Sequence, residues 1–147
     1  MSATPVKVDI LDPEGRIRCS QCVLHVTRYL HNRNIAIEAV CTDDSVTASG
    51  EHCENGKPWG ILTVNPREAL VDEEICVKDY SEGAGNLKTL EAAGLIETPP
   101  VRTIPSGLVQ LPVCRLTVKG RMMVANCLED EEAAIGEKRA EACQHSY

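Results

Sequence analysis

Hydrophobic and polar residues alternate through the first part of the chain. Residues 6–10 read Val-Lys-Val-Asp-Ile, the period-two pattern of a strand with one buried face. Residues 12–15 read Asp-Pro-Glu-Gly, an order typical of a type I turn. The pattern therefore predicts a β-hairpin whose return arm, residues 16–30, is one long or broken strand rich in β-forming residues.

Four later segments also have the composition of strands. Pro112 interrupts the last of them, which predicts an edge position or a bulge there. Residues 42–57 follow the first of them, lack hydrophobic periodicity and predict a long loop. The four segments are residues 35–41, 59–65, 74–78 and 108–118.

Two segments predict helices. Asn86 is placed to cap a short helix over residues 87–93, and Gly94 stands where a left-handed C-terminal cap is needed. Residues 126–142 open on Asn-x-x-Glu, the spacing of a capping box. Together the elements predict an α+β fold, a twisted, mainly antiparallel sheet of five to six strands with the short helix and the C-terminal helix packed on it.

The length of 147 residues suits a single domain that folds around one core. We find no internal repeat and no interdomain linker. Residues 1–147 are therefore expected to form one domain, with a sheet-rich core over residues 6–117 and a helical tail over residues 118–147.

The start of the chain has neither the basic region nor the continuous apolar region of an export signal. The chain also has no run of 18 apolar residues that would predict a membrane span. These features predict a cytoplasmic protein that does not bind membranes. In a reducing compartment its eight cysteines are expected to be thiols, because disulfides are rare there.

The net charge is −7, from 22 acidic and 15 basic residues, and the basic residues are scattered. Direct binding to nucleic acid is disfavoured, because phosphate contacts need clustered positive charge. The acidic residues are densest at Glu129, Asp130, Glu131 and Glu132. This run fits the start of a helix, where the helix dipole favours negative charge, or a surface that docks a partner protein.

Cys19 and Cys22 are separated by two residues, a spacing found in zinc sites and in redox dithiols. A redox dithiol favours the N-terminus of a helix, whereas β-forming residues follow Cys22. On a regular strand the two side chains would point to opposite faces. They converge only if residues 20–21 form a turn or bulge.

A second pair of ligands would come from Cys41, His52 and Cys53, at the end of a predicted strand and in the following loop. The best four-ligand set is Cys19, Cys22, Cys41 and Cys53, which would hold a structural zinc ion. The alternative is that these cysteines are buried thiols that bind no metal.

The chain lacks the G-x-S-x-G motif, a phosphate-binding glycine loop and the H-E-x-x-H motif. His25 lies in a strand pattern, where a hydrogen-bonded sheet histidine is the simpler interpretation than a general base. The sequence therefore predicts a protein that is not an enzyme and has no catalytic residues.

Several segments in a fixed order resemble a family of small proteins carried by conjugative elements, plasmids and prophages of gut bacteria. The resemblance spans residues 6–117, and its most specific part is PWGILTVN. Relative to the family pattern, residues 42–55 look like an insertion and residues 118–147 lie outside it. The segments are NIAI (34–37), PWGILTVN (58–65), ICVKDY (75–80) and SG (106–107).

The resemblance implies a context and no catalytic residues. Small acidic proteins of mobile elements often bind and block host defence machinery, including CRISPR and restriction nucleases. The first functional hypothesis is therefore a non-enzymatic, anti-CRISPR-like protein that inhibits a host defence nuclease through protein–protein contact. The alternative is a zinc-stabilised interaction module with another partner.

Overall fold

A computed structural model describes residues 6–71 and 73–128. Within these ranges the chain forms eight strands, one turn of 3-10 helix (Ser81–Gly83) and two α-helices. The strands are β1 (Lys7–Leu11), β2 (Ile17–Arg28), β3 (Ile35–Val40), β4 (Val46–Thr47), β5 (Pro58–Ile61), β6 (Glu74–Cys76), β7 (Arg102–Ser106) and β8 (Val109–Arg115). The helices are α1 (Asn86–Ala92) and α2 (residues 118–128).

The strands form two antiparallel sheets. The first has five strands in the order β1-β2-β3-β5, with β4 paired to β2, and the second has the order β6-β8-β7. The predicted mainly antiparallel α+β fold is confirmed, and the first sheet has five strands as expected.

The predicted strand over residues 59–65 divides between the two sheets. The Leu62 amide donates to the Ile37 carbonyl of the first sheet, and the Val64 amide donates to the Cys76 carbonyl of the second, at 2.8 and 2.9 Å. A single β-bridge joins Thr63 to Val77 between these bonds. Residues 62–64 therefore connect the sheets through backbone hydrogen bonds.

One large hydrophobic cluster takes buried side chains from both sheets and both helices. Its aliphatic residues include Ile10, Ile37, Ile75, Leu90 and Met123, which lie on β1, β3, β6, α1 and α2. Helix α1 also bonds to the first sheet, because the Leu11 amide donates to Thr89 Oγ1 at 2.8 Å. Aliphatic side chains thus fill the core of a chain that contains no Phe.

Helix α1 begins differently from the prediction. Asn86 is not its cap: it lies inside the helix, is buried, and donates from Nδ2 to the Lys78 carbonyl at 2.8 Å. Asp79 takes the capping role, because its Oδ1 accepts from the amides of Gly85 and Leu87 at 3.0 and 3.1 Å. The predicted left-handed glycine after the helix is confirmed at Gly94, where φ is 73°.

Helix α2 begins at residue 118, eight residues before the predicted start at Asn126. Thr117 caps it: Oγ1 accepts from the Gly120 amide at 3.0 Å, and the Thr117 carbonyl accepts from the Arg121 amide at 2.8 Å. Of the predicted helix over residues 126–142, residues 126–128 are helical and the rest lies outside the described residues.

The second sheet corrects the prediction for Pro112. Its strand, β8, lies between β6 and β7 and is not an edge strand. Pro112 is tolerated because it lies just beyond the end of β6, where its carbonyl accepts from the Val77 amide at 2.9 Å. Strand β7 was not predicted. Pro105 lies within this strand, and a proline in a sequence argues against a strand. The proline is compatible with β7 because β7 is an edge strand.

Within the described ranges, neither helix is long and apolar enough to cross a lipid bilayer.

Candidate metal centre

Four cysteines from three parts of the first sheet converge at one site. Cys19 and Cys22 lie on β2, Cys41 directly follows β3, and Cys53 lies in the loop between β4 and β5. The Sγ atoms of Cys19, Cys22 and Cys41 all lie within 4.8 Å of one another. Cys19 Sγ lies 3.5 Å from Cys22 Sγ and 3.6 Å from Cys53 Sγ.

A β-bulge turns Cys19 and Cys22 to the same face of β2. Val8 pairs with Cys22 and Ile10 pairs with Cys19, so β2 has one more residue than β1 between the two pairs. Gln21 lies in this bulge, and its backbone adopts the left-handed conformation, with φ 57°. Both cysteine side chains are therefore directed into the core and are fully buried.

Two hydroxyl groups hold the bulge. Thr42 Oγ1 and Ser45 Oγ donate to the Gln21 carbonyl at 3.0 and 3.1 Å. The Thr42 amide in turn donates to Ser45 Oγ at 2.8 Å. Sequence reasoning missed both residues, although Thr-x-x-Ser at the start of a loop is a known pattern for side-chain hydrogen bonds to the backbone.

The predicted loop over residues 42–57 contains a short strand. Strand β4 pairs with β2 at Cys19 and Ser20, and Val46 also forms a bridge with His52. This small hairpin folds back and brings Cys53 to Cys19. The base of the loop is closed by the Cys41 amide, which donates to the Lys57 carbonyl, and by the Gly56 amide, which donates to the Cys41 carbonyl, both at 2.8 Å.

Burial raises the pKa of the three buried thiols at the site, Cys19, Cys22 and Cys41. It is the main reason that the pKa values of Cys19 and Cys22 lie above the usual 9.0, and it raises the pKa of Cys41 to about 12, with a further contribution from Cys53. Negative charges this close repel one another in a poorly solvated site. A nearby cation would therefore favour the ionised form of these three buried thiols.

Cys19, Cys22 and Cys41 lie close enough together to bind one metal ion. Thiolate sulfur is a soft ligand that suits zinc and other thiophilic metals, and it does not suit magnesium or calcium. His52, the other ligand considered from the sequence, is exposed.

Two other features of the sequence, His25 and the acidic run over residues 129–132, were also considered as functional residues. His25 is exposed and stands opposite Glu38 on β3. The proposed docking residues Glu129, Asp130, Glu131 and Glu132 lie outside the described residues.

Comparison of the chain with protein-family models, with curated proteins and with solved structures found no match. The interpretation of the site therefore depends on its own geometry and chemistry.

Proposed function

We propose that the protein is a non-enzymatic binding module stabilised by a structural zinc ion, with Cys19, Cys22, Cys41 and Cys53 as ligands. The observation that carries the proposal is the convergence of four sulfurs from β2, the end of β3 and the β4 loop. Their separation along the sequence makes this arrangement a product of the fold.

The sulfur spacing fits tetrahedral zinc. Zinc–sulfur bonds of about 2.3 Å place the sulfurs of a tetrahedral site about 3.8 Å apart. The separations from Cys19 Sγ to Cys22 Sγ and Cys53 Sγ, 3.5 and 3.6 Å, are within a few tenths of that value. Cys53 Sγ is not among the three sulfurs that all lie within 4.8 Å of one another, so its side chain would have to shift to complete the site.

Four thiolates also favour a structural role. A catalytic zinc site keeps one position open for water or substrate, whereas a site with four protein ligands is closed. When bound, zinc would supply the positive charge that lets the buried thiols ionise, and it would tie the β4 loop to β2 and β3.

The zinc proposal predicts a metal content. Protein dialysed against metal-free buffer should retain about one zinc per chain by elemental analysis, because a structural site is nearly full. Cys22→Ser and Cys53→Ser should lower that content, since each removes a ligand. Cys127→Ser is the matched control, because Cys127 lies on α2 and is not in the group of cysteines close enough to share a metal ion. Less than about one tenth of an equivalent in the parent protein would contradict the proposal.

The loop over residues 42–57 is a candidate surface for partner binding. It contains Asp43, Asp44, Glu51 and Glu54 against the single Lys57, a net charge of −3. All four carboxylates are exposed, and among the described residues only Asp44 has an ion pair, with Lys7 at 3.1 Å. A loop held by zinc would present these charges in a defined arrangement to a basic surface.

We further propose that the partner is a host defence nuclease. The resemblance to proteins of mobile elements and the net charge of −7 support this class, because such nucleases bind nucleic acid in positively charged channels. An acidic loop that enters the channel would compete with the nucleic acid without any chemistry of its own.

An interference assay tests the nuclease proposal. Expression of the protein beside a CRISPR or restriction nuclease should raise the survival of a targeted plasmid. The variant Asp43→Lys/Glu51→Lys/Glu54→Lys should lose this effect and retain zinc. A control variant carries the same charge change at exposed positions outside the loop. Its substitutions are Glu14→Lys, Glu91→Lys and Glu97→Lys.

If the protein does not raise plasmid survival with any nuclease tested, the proposal that its partner is a host defence nuclease is contradicted. Equal loss of protection in the two charge variants would show that overall charge, and not the loop, is responsible.

A further inference from the structure

We propose that Cys53 is a peroxide-reactive modification site, and that its oxidation to a disulfide with Cys19 releases the metal. The inference rests on the proposed zinc centre. It adds a way in which the same site would be regulated.

The four cysteines differ sharply in exposure. Cys19 and Cys22 are 0% exposed and Cys41 is 3% exposed, whereas Cys53 is only partly buried. A solvent-borne oxidant can therefore reach the Cys53 sulfur first. The residues that follow it, 54–57, are all exposed.

The four cysteines also differ in how firmly the fold holds them. Cys19 and Cys22 belong to the twelve-residue strand β2, and Cys41 directly follows β3, whereas Cys53 is attached through the two-residue strand β4. Its amide donates to the Ser45 carbonyl over a long 3.4 Å. A residue whose amide is held by one long backbone bond is displaced at lower free-energy cost than residues inside a twelve-residue strand.

A resolving sulfur is already adjacent. Cys19 Sγ lies 3.6 Å from Cys53 Sγ, and a disulfide needs about 2.05 Å. The two sulfurs therefore have to approach by about 1.5 Å for the bond to form.

The chemistry balances with hydrogen peroxide as the oxidant. The Cys53 thiolate attacks one peroxide oxygen, so that an S–O bond forms, the O–O bond breaks, and hydroxide leaves and takes a proton from the buffer. The Cys19 thiolate then attacks the sulfenic sulfur of Cys53, so that the S–S bond forms and a second hydroxide leaves. Two thiolates, one peroxide and two protons give one disulfide and two waters.

Zinc loses two of its four ligands in this reaction and dissociates. A small dithiol reverses the step by thiol–disulfide exchange, after which zinc can bind again. The acidic loop over residues 42–57 would be held against β2 by the metal in one state and by the disulfide in the other.

The test uses the zinc-loaded full chain and hydrogen peroxide, with released zinc followed by a chromophoric chelator. About one zinc should be released per peroxide consumed, and peptide mapping without reduction should identify a Cys19–Cys53 disulfide. Dithiothreitol followed by zinc should restore the bound metal.

Two variants test whether the Cys53 thiolate in particular is responsible for zinc release. Cys53→His keeps four zinc ligands but removes the exposed thiolate, so zinc release should slow by on the order of tenfold or more. Cys127→Ser, which removes a partly buried cysteine outside the cluster, should release zinc like the parent protein.

The outcomes distinguish this inference from the zinc proposal. Loaded protein that keeps its zinc in peroxide, a disulfide between other cysteines, or equal release from Cys53→His would overturn the inference and leave the zinc centre standing. If Cys53→His does not bind zinc, the disulfide map of the parent protein tests the inference by itself. A Cys19–Cys53 disulfide supports it, and a disulfide between other cysteines overturns it. A parent protein that never binds zinc would overturn both proposals.

Discussion

The backbone of Gln21 decides whether Cys19 and Cys22 can act together. With two residues between them on a regular strand, the two cysteine side chains would point to opposite faces of the sheet. The bulge with Gln21 in the left-handed conformation (φ 57°) turns both side chains to the same face. The parity of the spacing predicted that a bulge was necessary. It could not predict that one forms, because Gln does not favour positive φ and the Thr42 and Ser45 hydroxyls that hold the bulge come from a distant part of the sequence.

Gln21→Val is expected to destabilise the protein by about 1–3 kcal/mol, because a β-branched residue is strained at positive φ. It should also weaken zinc binding, since a relaxed strand would turn one cysteine away. Chemical denaturation and zinc titration measure the two effects. Thr27→Val is the matched control at an exposed position of the same strand, and a similar loss in both variants would contradict the role of the bulge.

Two buried thiols outside the site predict a loss of stability in alkali. Burial raises the pKa of Cys76 to about 11 and that of Cys114 to about 12, from 9.0. The unfolded chain therefore loses these protons first, and stability is complete below about pH 9 and falls as pH rises toward the folded pKa values.

Urea denaturation of the zinc-loaded protein at pH 8, 9 and 10 measures this effect. The free energy of unfolding should fall by up to about 1.4 kcal/mol per pH unit for each thiol above pH 9. Cys76→Ala/Cys114→Ala lowers stability throughout because it leaves cavities, but its pH dependence should be flatter. If the free energy of unfolding depends on pH in the same way in the two proteins, Cys76 and Cys114 are not the cause of the loss of stability in alkali.

At the scale of elements, strand periodicity was informative and element boundaries were less so. Alternation located β1, β2 and β3, whose inward positions are buried as predicted. Strands β4 and β7 were missed because a two-residue strand has no period and a proline in β7 suppresses the signal. The start of α2 was missed because its cap, Thr117, follows directly after β8 and its bridge residue Leu116.

Helix α1 packs against β1 through Gly85, and this contact gives a sharp prediction. Gly85 has φ 102°, and a Cβ there would overlap the backbone of Leu11 and Asp12. Gly85→Ala should therefore cost more than about 2 kcal/mol, since backbone atoms cannot yield as a flexible side chain can. Thermal denaturation measures the loss of stability. Gly60→Ala is the control, because a Cβ at Gly60 meets no atom within 4 Å. Equal melting temperatures would show that the helix shifts freely.

At the scale of the whole molecule, one core joins both sheets and both helices, and Cys19 and Cys22 of the cysteine site belong to it. A chain of 147 residues can bury enough surface to fold without a metal. Zinc is therefore expected to add to stability and to order the β4 loop, and not to be required for folding.

Removal of zinc by a chelator should lower the melting temperature and leave the protein folded, because a ligand that binds only the native state stabilises it by mass action. Hydrogen exchange should accelerate in residues 19–22 and 42–57 and stay unchanged in β6, β7 and β8. Global unfolding without zinc, or uniform acceleration over the described sheets, would contradict a local role for the metal.

The sequence by itself determined the class of the fold and the identity of the candidate ligands. Alternating residues select antiparallel strands because successive side chains face opposite sides of a sheet, and cysteine is the residue type that zinc selects. Only the tertiary structure decided that Cys19, Cys22, Cys41 and Cys53 lie together, through a bulge in β2 and a two-residue strand in the loop. Both devices depend on contacts between segments far apart in the chain, which local sequence patterns do not encode.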